Sequence, residues 1–356
     1  MYDIMHFEAL GAEAEHLEEA TKAAQAKGLL PKDLKYVITP DDLQTYLAKN
    51  PGTVLPDIIT TKTHSVLPKD YLTTGNKKSI VTRSAGYDHY EAIADKANIT
   101  SLRKYCVNAV AETAVKFVYC TTGYQNQYTE NMRTFERNKT TSFFELNSDR
   151  VATVYGVGNI GIRAYELLEG NGLKVQAVDY RAKELDKKYQ GKVNFVSKEE
   201  AIKNTDIIVN MMNLTKIKES PIYNVGYFSE EYLRQATRPL FFINVTRGDI
   251  APEAGLLKLY KEGKILGLGL DVFSNETAFS EALNGRGEFD NPDLKAAKEI
   301  LDGALNRTEN FYVSAHQGFN SDVAALEKAN DAINHVIAWY KNDKKKFDEQ
   351  LPYYTL

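Results

Sequence analysis

The stretch Val151–Asp179, VATVYGVGNIGIRAYELLEGNGLKVQAVD, constrains this chain more than any other. A short apolar run, Val151–Tyr155, reads as a buried strand. Gly156, Gly158 and Gly161 follow in G-x-G-x-x-G spacing, and Ile162, Tyr165, Leu167 and Leu168 then recur at helical intervals. A second apolar run, Leu173–Val178, ends in Asp179, 18 residues after the last glycine. Each part has a physical use in holding a dinucleotide. Gly156 permits the tight turn, Gly158 leaves the backbone open to the pyrophosphate, and Gly161 lets the helix pack close to the strand. The first N–H groups of the helix face the phosphates. Asp179 can accept hydrogen bonds from ribose hydroxyls and would repel a 2′-phosphate, which favours NAD over NADP. Arg181, two residues on, is the feature that would suit that phosphate instead. Three glycines at this spacing also occur in plain turns; strand, helix, second strand and acid in their required places set this stretch apart.

At 356 residues the chain is long for a single core, so two domains are expected. Before the glycine stretch, strand-like and helix-like segments alternate. Tyr2–Phe7, Lys35–Thr39, Asp57–Thr61, Ser79–Arg83 and Thr100–Tyr105 read as strands. Ala12–Lys27, Asp41–Lys49, Pro68–Leu72 and Tyr90–Lys96 read as helices. Such alternation implies a parallel sheet covered on both faces. A long helical pattern, Asn108–Tyr124, leads toward the second domain, and Thr129–Arg150 reads as loop with a short helix. From Val151 the strand-like runs are Val151–Tyr155, Leu173–Val178, Val193–Val196, Asp206–Met211, Leu240–Val245, Ile265–Leu270 and Phe311–Ser314. Six or seven parallel strands make a doubly wound, Rossmann-type domain. Thr277–Arg307 is expected to hold one helix around Leu294–Leu301, and a last helix capped by Ser321 or Asp322 carries Val323, Leu326, Ile333, Val336 and Trp339.

Composition narrows the function classes. The net charge of −4 argues against a nucleic-acid binder, which would present a basic face. Cys106 and Cys120 have neither metal-type spacing nor a disulfide framework, so both read as reduced and no metal is expected. The N-terminus shows no basic region followed by an apolar run, and no stretch is apolar for long enough to span a bilayer, so the expected setting is the cytoplasm.

Hydride transfer needs a cation to hold and polarise the substrate, a proton donor, and a partner for that donor. In an open α/β sheet these belong just past strand C-termini. Arg247 follows the run Leu240–Val245, and its guanidinium fork could pair with a carboxylate; a surface arginine capping a turn is the plainer alternative. Glu276 lies beyond Ile265–Leu270, and His316 follows Phe311–Ser314. A glutamate beside a histidine favours the imidazolium, which could protonate a carbonyl oxygen as hydride reaches C2. A lone histidine after a strand is more often structural. His6, His16 and His335 fall inside expected strands or helices, whereas His64 and His89 lie near strand ends.

Taken together, RSAGYDH (Arg83–His89), YCVNAVAETAV (Tyr105–Val115), YGVGNIG (Tyr155–Gly161), NVTRGDI (Asn244–Ile250), LDVFSNE (Leu270–Glu276) and SAHQGF (Ser314–Phe319) resemble the D-isomer-specific 2-hydroxyacid dehydrogenase family. The resemblance implies Arg247, Glu276 and His316 as catalytic residues. It implies a substrate carboxylate held by the Ala85 and Gly86 amides, with Tyr105 lining the pocket. Cofactor contacts are implied at Gly156, Gly158, Asn159, Ile160, Gly161, Asp179, Thr215, Thr246 and Asp271. It further implies a discontinuous, flavodoxin-like α/β substrate domain (residues 1–106 and 318–356) around an NAD-binding Rossmann domain (107–317), and a homodimer through the cofactor domains. The reaction implied is reduction of a 2-keto acid to a D-2-hydroxy acid. Three departures stand out. Only Thr215 survives of the family's L-H-x-P-x-T pattern, Ala315 replaces the proline before the histidine, and Val107 replaces the proline of Y-S-P-N-A. Phe319 matches an aromatic that keeps the pocket small in the D-lactate branch. Lys62, past Asp57–Thr61, would instead suit a dicarboxylate such as 2-oxoglutarate, unless it is simply a solvated loop lysine. A non-enzymatic, NAD(H)-sensing interaction protein is the alternative from another class.

Overall fold

A computed structural model describes residues 1–354. The chain divides into two compact units, one made of Met1–Cys106 with the residues from Asn320 on, the other of Val107–Phe319.

The first unit is built on β1 (Ile4–His6), β2 (Tyr36–Ile38), β3 (Ile58–Thr61), β4 (Ser79–Thr82) and β5 (Asn98–Ser101). All pairings are parallel, in the order β2-β1-β3-β4-β5. Successive side chains of a strand point to opposite faces, and both faces are buried. Ile4, Ile58 and Val81 pack with Leu17 and Ala24 of the helix Ala12–Ala26 and with Ala329, Ile333 and Val336 of the helix Ala324–Lys341. Met5, Ile59, Ile80 and Ile99 pack on the other side with Leu43 and Phe7. Each large apolar side chain so buried stabilises the unit by roughly 1.5–3 kcal/mol. The strand order reverses between β1 and β3, which opens a crevice at their C-terminal ends.

The last helix begins at Ala324 with Val323 at its N-cap and no side-chain cap bond, where Ser321 or Asp322 was expected, and three other expected elements differ here. Pro68–Leu72 is a run of turns, with Tyr71 N donating to Pro68 O and the Thr73 and Thr74 hydroxyls donating to Asp70 O. Those side-chain bonds compete with a helical ladder. Tyr90–Lys96 contains only the single 3₁₀ turn Glu91–Ile93. The last strand lies at Asn98–Ser101, about two residues before the expected start; Asn98, a residue type depleted in strands, hid that start.

The second unit holds β6 (Val151–Tyr155), β7 (Lys174–Val178), β8 (Ile207–Asn210), β9 (Leu240–Asn244), β10 (Ile265–Leu270) and β11 (Phe311–Val313). The sheet is again all parallel, in the order β11-β10-β9-β8-β6-β7. The expected strand Val193–Val196 is a single bridge, Ala177 to Phe195. Ser197 immediately caps the helix Lys198–Lys203 by accepting from Glu200 N, so the chain turns away before a ladder can lengthen. The polar stretch Thr277–Arg307 holds two helices, Glu276–Leu283 and Pro292–Leu305, where one was expected. The helix Val107–Thr122 buries Val110, Ala114, Phe117 and Val118. A Cβ on Gly269 of β10 would lie 2.6 Å from Phe117 Cβ, so glycine there lets that helix approach the sheet. The order reverses between β6 and β8, and the crevice of this sheet opens past Tyr155 and Asn210.

Candidate functional site

At the end of β6 the chain makes its glycine turn. Gly156 has φ +87°, and a Cβ there would come within 2.8 Å of Met212 N, just past β8. A Cβ on Gly161 would come within 1.9 Å of Gly156 O, so the helix Asn159–Gly170 can start here only with glycine. Gly158 is the opposite case, since no atom of the described residues lies within 4 Å of where its Cβ would be. Two glycines are therefore required by the protein's own packing, whereas the third leaves open space before a helix N-terminus, beside Asn159 and Ile160. That is the space a pyrophosphate would fill, and the residues fit a dinucleotide.

Asp179 follows β7 and reaches back to this turn. Its Oδ2 accepts from Val157 N at 2.8 Å and its Oδ1 from Arg181 N at 2.9 Å. The Arg181 side chain lies 3.9 Å from Asp179 and 3.6 Å from Glu184, so its charge is met by two carboxylates. Thr215 is buried beyond β8, with its N–H donating to Asn224 Oδ1 at 2.8 Å. Just before that stretch lies an asparagine network. Asn210 Nδ2 donates to Asn244 Oδ1 (3.0 Å) and to Thr246 Oγ1 (2.9 Å).

Three strand ends then bring the expected acid–base residues onto adjoining loops. Arg247 follows β9, half-buried, with Asn244 Nδ2 donating to its carbonyl at 2.9 Å. Gly248 packs so tightly on the loop after β10 that a Cβ would lie 1.9 Å from Phe273 C, which locks the Arg247 turn against the turn carrying Glu276. His316 Nδ1 lies 2.9 Å from Glu276 Oε2, and Glu276 Oε1 accepts from Phe273 N at 3.3 Å. Their side chains are 37% and 42% exposed, open to a ligand. Partial burial pushes the Glu276 carboxyl upward. The hydrogen bond and charge of His316, the Phe273 N–H and the Arg247 charge outweigh it and hold the group below its ordinary value.

The backbone is shaped for this meeting. His316 has φ +53° and Asn275, just before Glu276, has φ +51°, both in the left-handed region that costs a side-chain-bearing residue energy. Asp271 holds the strained histidine loop. It is 1% exposed, its carbonyl accepts from His316 N at 2.7 Å, and its carboxylate accepts from Ser314 Oγ (2.5 Å), Gln317 N (2.8 Å) and Gly318 N (2.7 Å). Both carboxylate oxygens of Asp271, expected to face the cofactor, are thus engaged with the loop Ser314–Gly318. Glu253, 1% exposed, does similar work on the other turn by accepting from Ser274 N at 2.6 Å and from Ser274 Oγ. Burial raises its carboxyl to about 7 against the pull of the two Ser274 bonds. Asn210, Asn244 and Glu253 escaped the sequence reading, because a buried asparagine or glutamate carries no local signature of what it holds.

The residues expected to meet the substrate lie mostly in the first unit. Ala85 and Gly86 sit on the half-buried loop after β4, and Tyr105 ends that part of the chain. Lys62 follows β3, where it was expected, but its ammonium pairs with Glu13 Oε2 at 2.5 Å. Glu13 also takes Arg83 Nε at 2.8 Å and has Lys328 Nζ at 3.8 Å, so one carboxylate stands among three cations. Lys328 lies over the Tyr105 ring, 5.3 Å from its centroid. Phe319 closes the second unit, half-buried, three residues after His316. Of the other histidines, His6 is fully buried against Thr60 Oγ1 (2.9 Å), and burial drives it to about 3, so it stays neutral.

Residues 117–318 match the family model described as "D-isomer specific 2-hydroxyacid dehydrogenase, NAD binding domain". The chain is 27% identical over 221 residues to a D-lactate dehydrogenase of Treponema pallidum, covering 61% of this chain and 64% of that protein. It is 25% identical over 269 residues to a D-specific alpha-keto acid dehydrogenase of Enterococcus faecium, covering 73% and 75%. A D-lactate dehydrogenase of Aquifex aeolicus, solved with NAD and lactic acid, has a similar fold, with a TM-score of 0.78 over 99% of this chain and 100% of that one at 21% identity.

Proposed function

The chain belongs to the D-isomer specific 2-hydroxyacid dehydrogenase family, and on that premise we propose that it reduces small 2-keto acids to D-2-hydroxy acids with NADH. The observation that carries this reading is the Glu276–His316 pair, 2.9 Å apart, with the Arg247 charge close enough to act on the same carboxylate. Arg247 binds and polarises the keto acid through its guanidinium fork. Glu276 receives the Nδ1–H of His316, which sets the tautomer and leaves Nε2 to carry the transferred proton. That proton goes to the carbonyl oxygen, so the keto acid gains hydride at C2 and a proton at oxygen. NADH, when bound, supplies the hydride. Asp271 holds His316 in register throughout, and the Ala85–Gly86 turn takes the substrate carboxylate.

Lys62 supports a monocarboxylate over a dicarboxylate, since its ammonium is already paired with Glu13. The exposed apolar side chains Tyr119, Tyr128, Met132, Phe135 and Phe143 of the second unit support a homodimer. NADH oxidation with pyruvate, phenylpyruvate, oxaloacetate and 2-oxoglutarate tests the proposal. Pyruvate or phenylpyruvate is expected to turn over, and His316→Gln to slow turnover on the order of 10²–10⁴-fold with NADH affinity kept. Protein that binds NADH and reduces none of the four would sink the activity and leave an NAD(H)-sensing role. A preference for 2-oxoglutarate that Lys62→Ala removes would restore the dicarboxylate reading.

A further inference from the structure

The loop Arg83–His89 wires itself. Ser84 Oγ donates to Gly86 O at 2.6 Å, so its proton is spent. Thr82 Oγ1, 2.9 Å away, must then donate to Ser84, and His89 Nε2, 3.0 Å from Thr82 Oγ1, must donate in turn. A backbone bond from Leu102 N to Ser84 O (3.0 Å) ties the start of the loop to the end of β5.

The C-terminal segment arrives at the same place from about 250 residues away in sequence. Leu351 N donates to Ile99 O at 2.8 Å and Asn98 Nδ2 donates to Lys345 O at 2.7 Å, which covers the open edge of β5. The Tyr353 hydroxyl accepts from Ser101 N at 2.6 Å and lies 3.0 Å from Ser101 Oγ. Its ring meets Tyr87 edge-on at 5.3 Å between centroids and 70° between planes. The Arg103 guanidinium covers the same ring at 4.3 Å. One phenol therefore grips the end of β5 by its oxygen and the residue after Gly86 by its ring.

We infer that Tyr353 is a positioning residue for the substrate carboxylate, holding the Ser84–Tyr87 turn so that the Ala85 and Gly86 amides are ready before substrate arrives. This rests on the reading of that turn as the carboxylate site. The tail is then a working part of substrate recognition as well as an edge cover.

The test uses the full chain with Tyr353→Phe and Tyr353→Ala, hydrogen exchange over residues 84–87 without substrate, and steady-state kinetics with pyruvate. Tyr353→Ala is expected to speed exchange in the turn and raise KM about tenfold, from one lost ring pair and one lost hydrogen bond, with kcat and NADH affinity nearly unchanged. Tyr353→Phe keeps the ring and the fold, and its KM is expected to rise about threefold. Unchanged exchange over 84–87 in Tyr353→Ala overturns the inference, whatever the protein turns over. Faster exchange with an unchanged KM overturns the carboxylate assignment beneath it and the inference with it. A parallel fall in kcat, NADH affinity and thermal stability would make the tail a general scaffold and also refute it.

Discussion

The two sheets reverse their strand order at equivalent places, β1 against β3 and β6 against β8, and fill the resulting crevices in opposite ways. Past β6 the chain strips the crevice to backbone, with glycines at 156, 158 and 161 and a helix N-terminus behind them. Past β3 and β4 it packs the crevice with charge, three cations around Glu13. A parallel sheet offers an anion-friendly crevice in both cases. Backbone dipoles make a site that waits for a phosphate at little cost, whereas buried side-chain cations need a counter-charge at hand even before a ligand binds.

Glu13→Leu should break the charged crevice most severely. It leaves fully buried Arg83 facing Lys62 and Lys328 without their shared carboxylate, at a cost of about 3–5 kcal/mol in denaturant unfolding. A loss under ~1 kcal/mol would mean the cations find other partners. Lys328 gives the next effect, one that depends on pH. Burial, opposed by Glu13 and reinforced by Lys62 and Arg83, lowers its ammonium from 10.5 to about 8. Between these values the unfolded chain holds a proton that the folded chain has released, so stability rises with pH from about 8 to 10.5. Thermal unfolding of wild type relative to Lys328→Met should show the wild type gaining across that window, by as much as ~3 kcal/mol; a flat difference would refute the assignment.

The glycine crevice should respond more gently and more selectively. Gly161→Ala forces a methyl onto Gly156 O and should cost roughly 1–3 kcal/mol of stability together with NADH binding. Gly158→Ala meets no atom of the described residues, so folding should be untouched while NADH affinity falls by about tenfold or more, on the order of 1.4 kcal/mol. Equal NADH affinity in Gly158→Ala would show that the open space is not where the pyrophosphate lies.

The same contrast explains what could be read in the sequence. The glycine crevice is local, its parts within Val151–Asp179, and each glycine has a steric reason visible at close range. The loops of Arg247, Glu276 and His316 were legible because each follows a strongly apolar strand. The charged crevice was not, because Glu13, Lys62, Arg83 and Lys328 come from four separate stretches and each alone looks like a solvated charge. Val193–Val196 looked like a strand because its composition suits one, yet Ser197 starts a helix at once. The position of β5 depended on a tail about 250 residues further on, which no window along the chain contains.

Asp271 makes the histidine loop a single mechanical piece, and that changes how damage to it would be diagnosed. Three of the five residues Ser314–Gly318 reach its carboxylate, and His316 itself hangs from its carbonyl. In an activity screen, Asp271→Ala and His316→Ala would look alike. A small diffusible acid such as imidazole tells them apart. It can stand in for an absent proton donor and restore part of the turnover of His316→Ala, but it cannot return a displaced loop to register, so Asp271→Ala should stay silent.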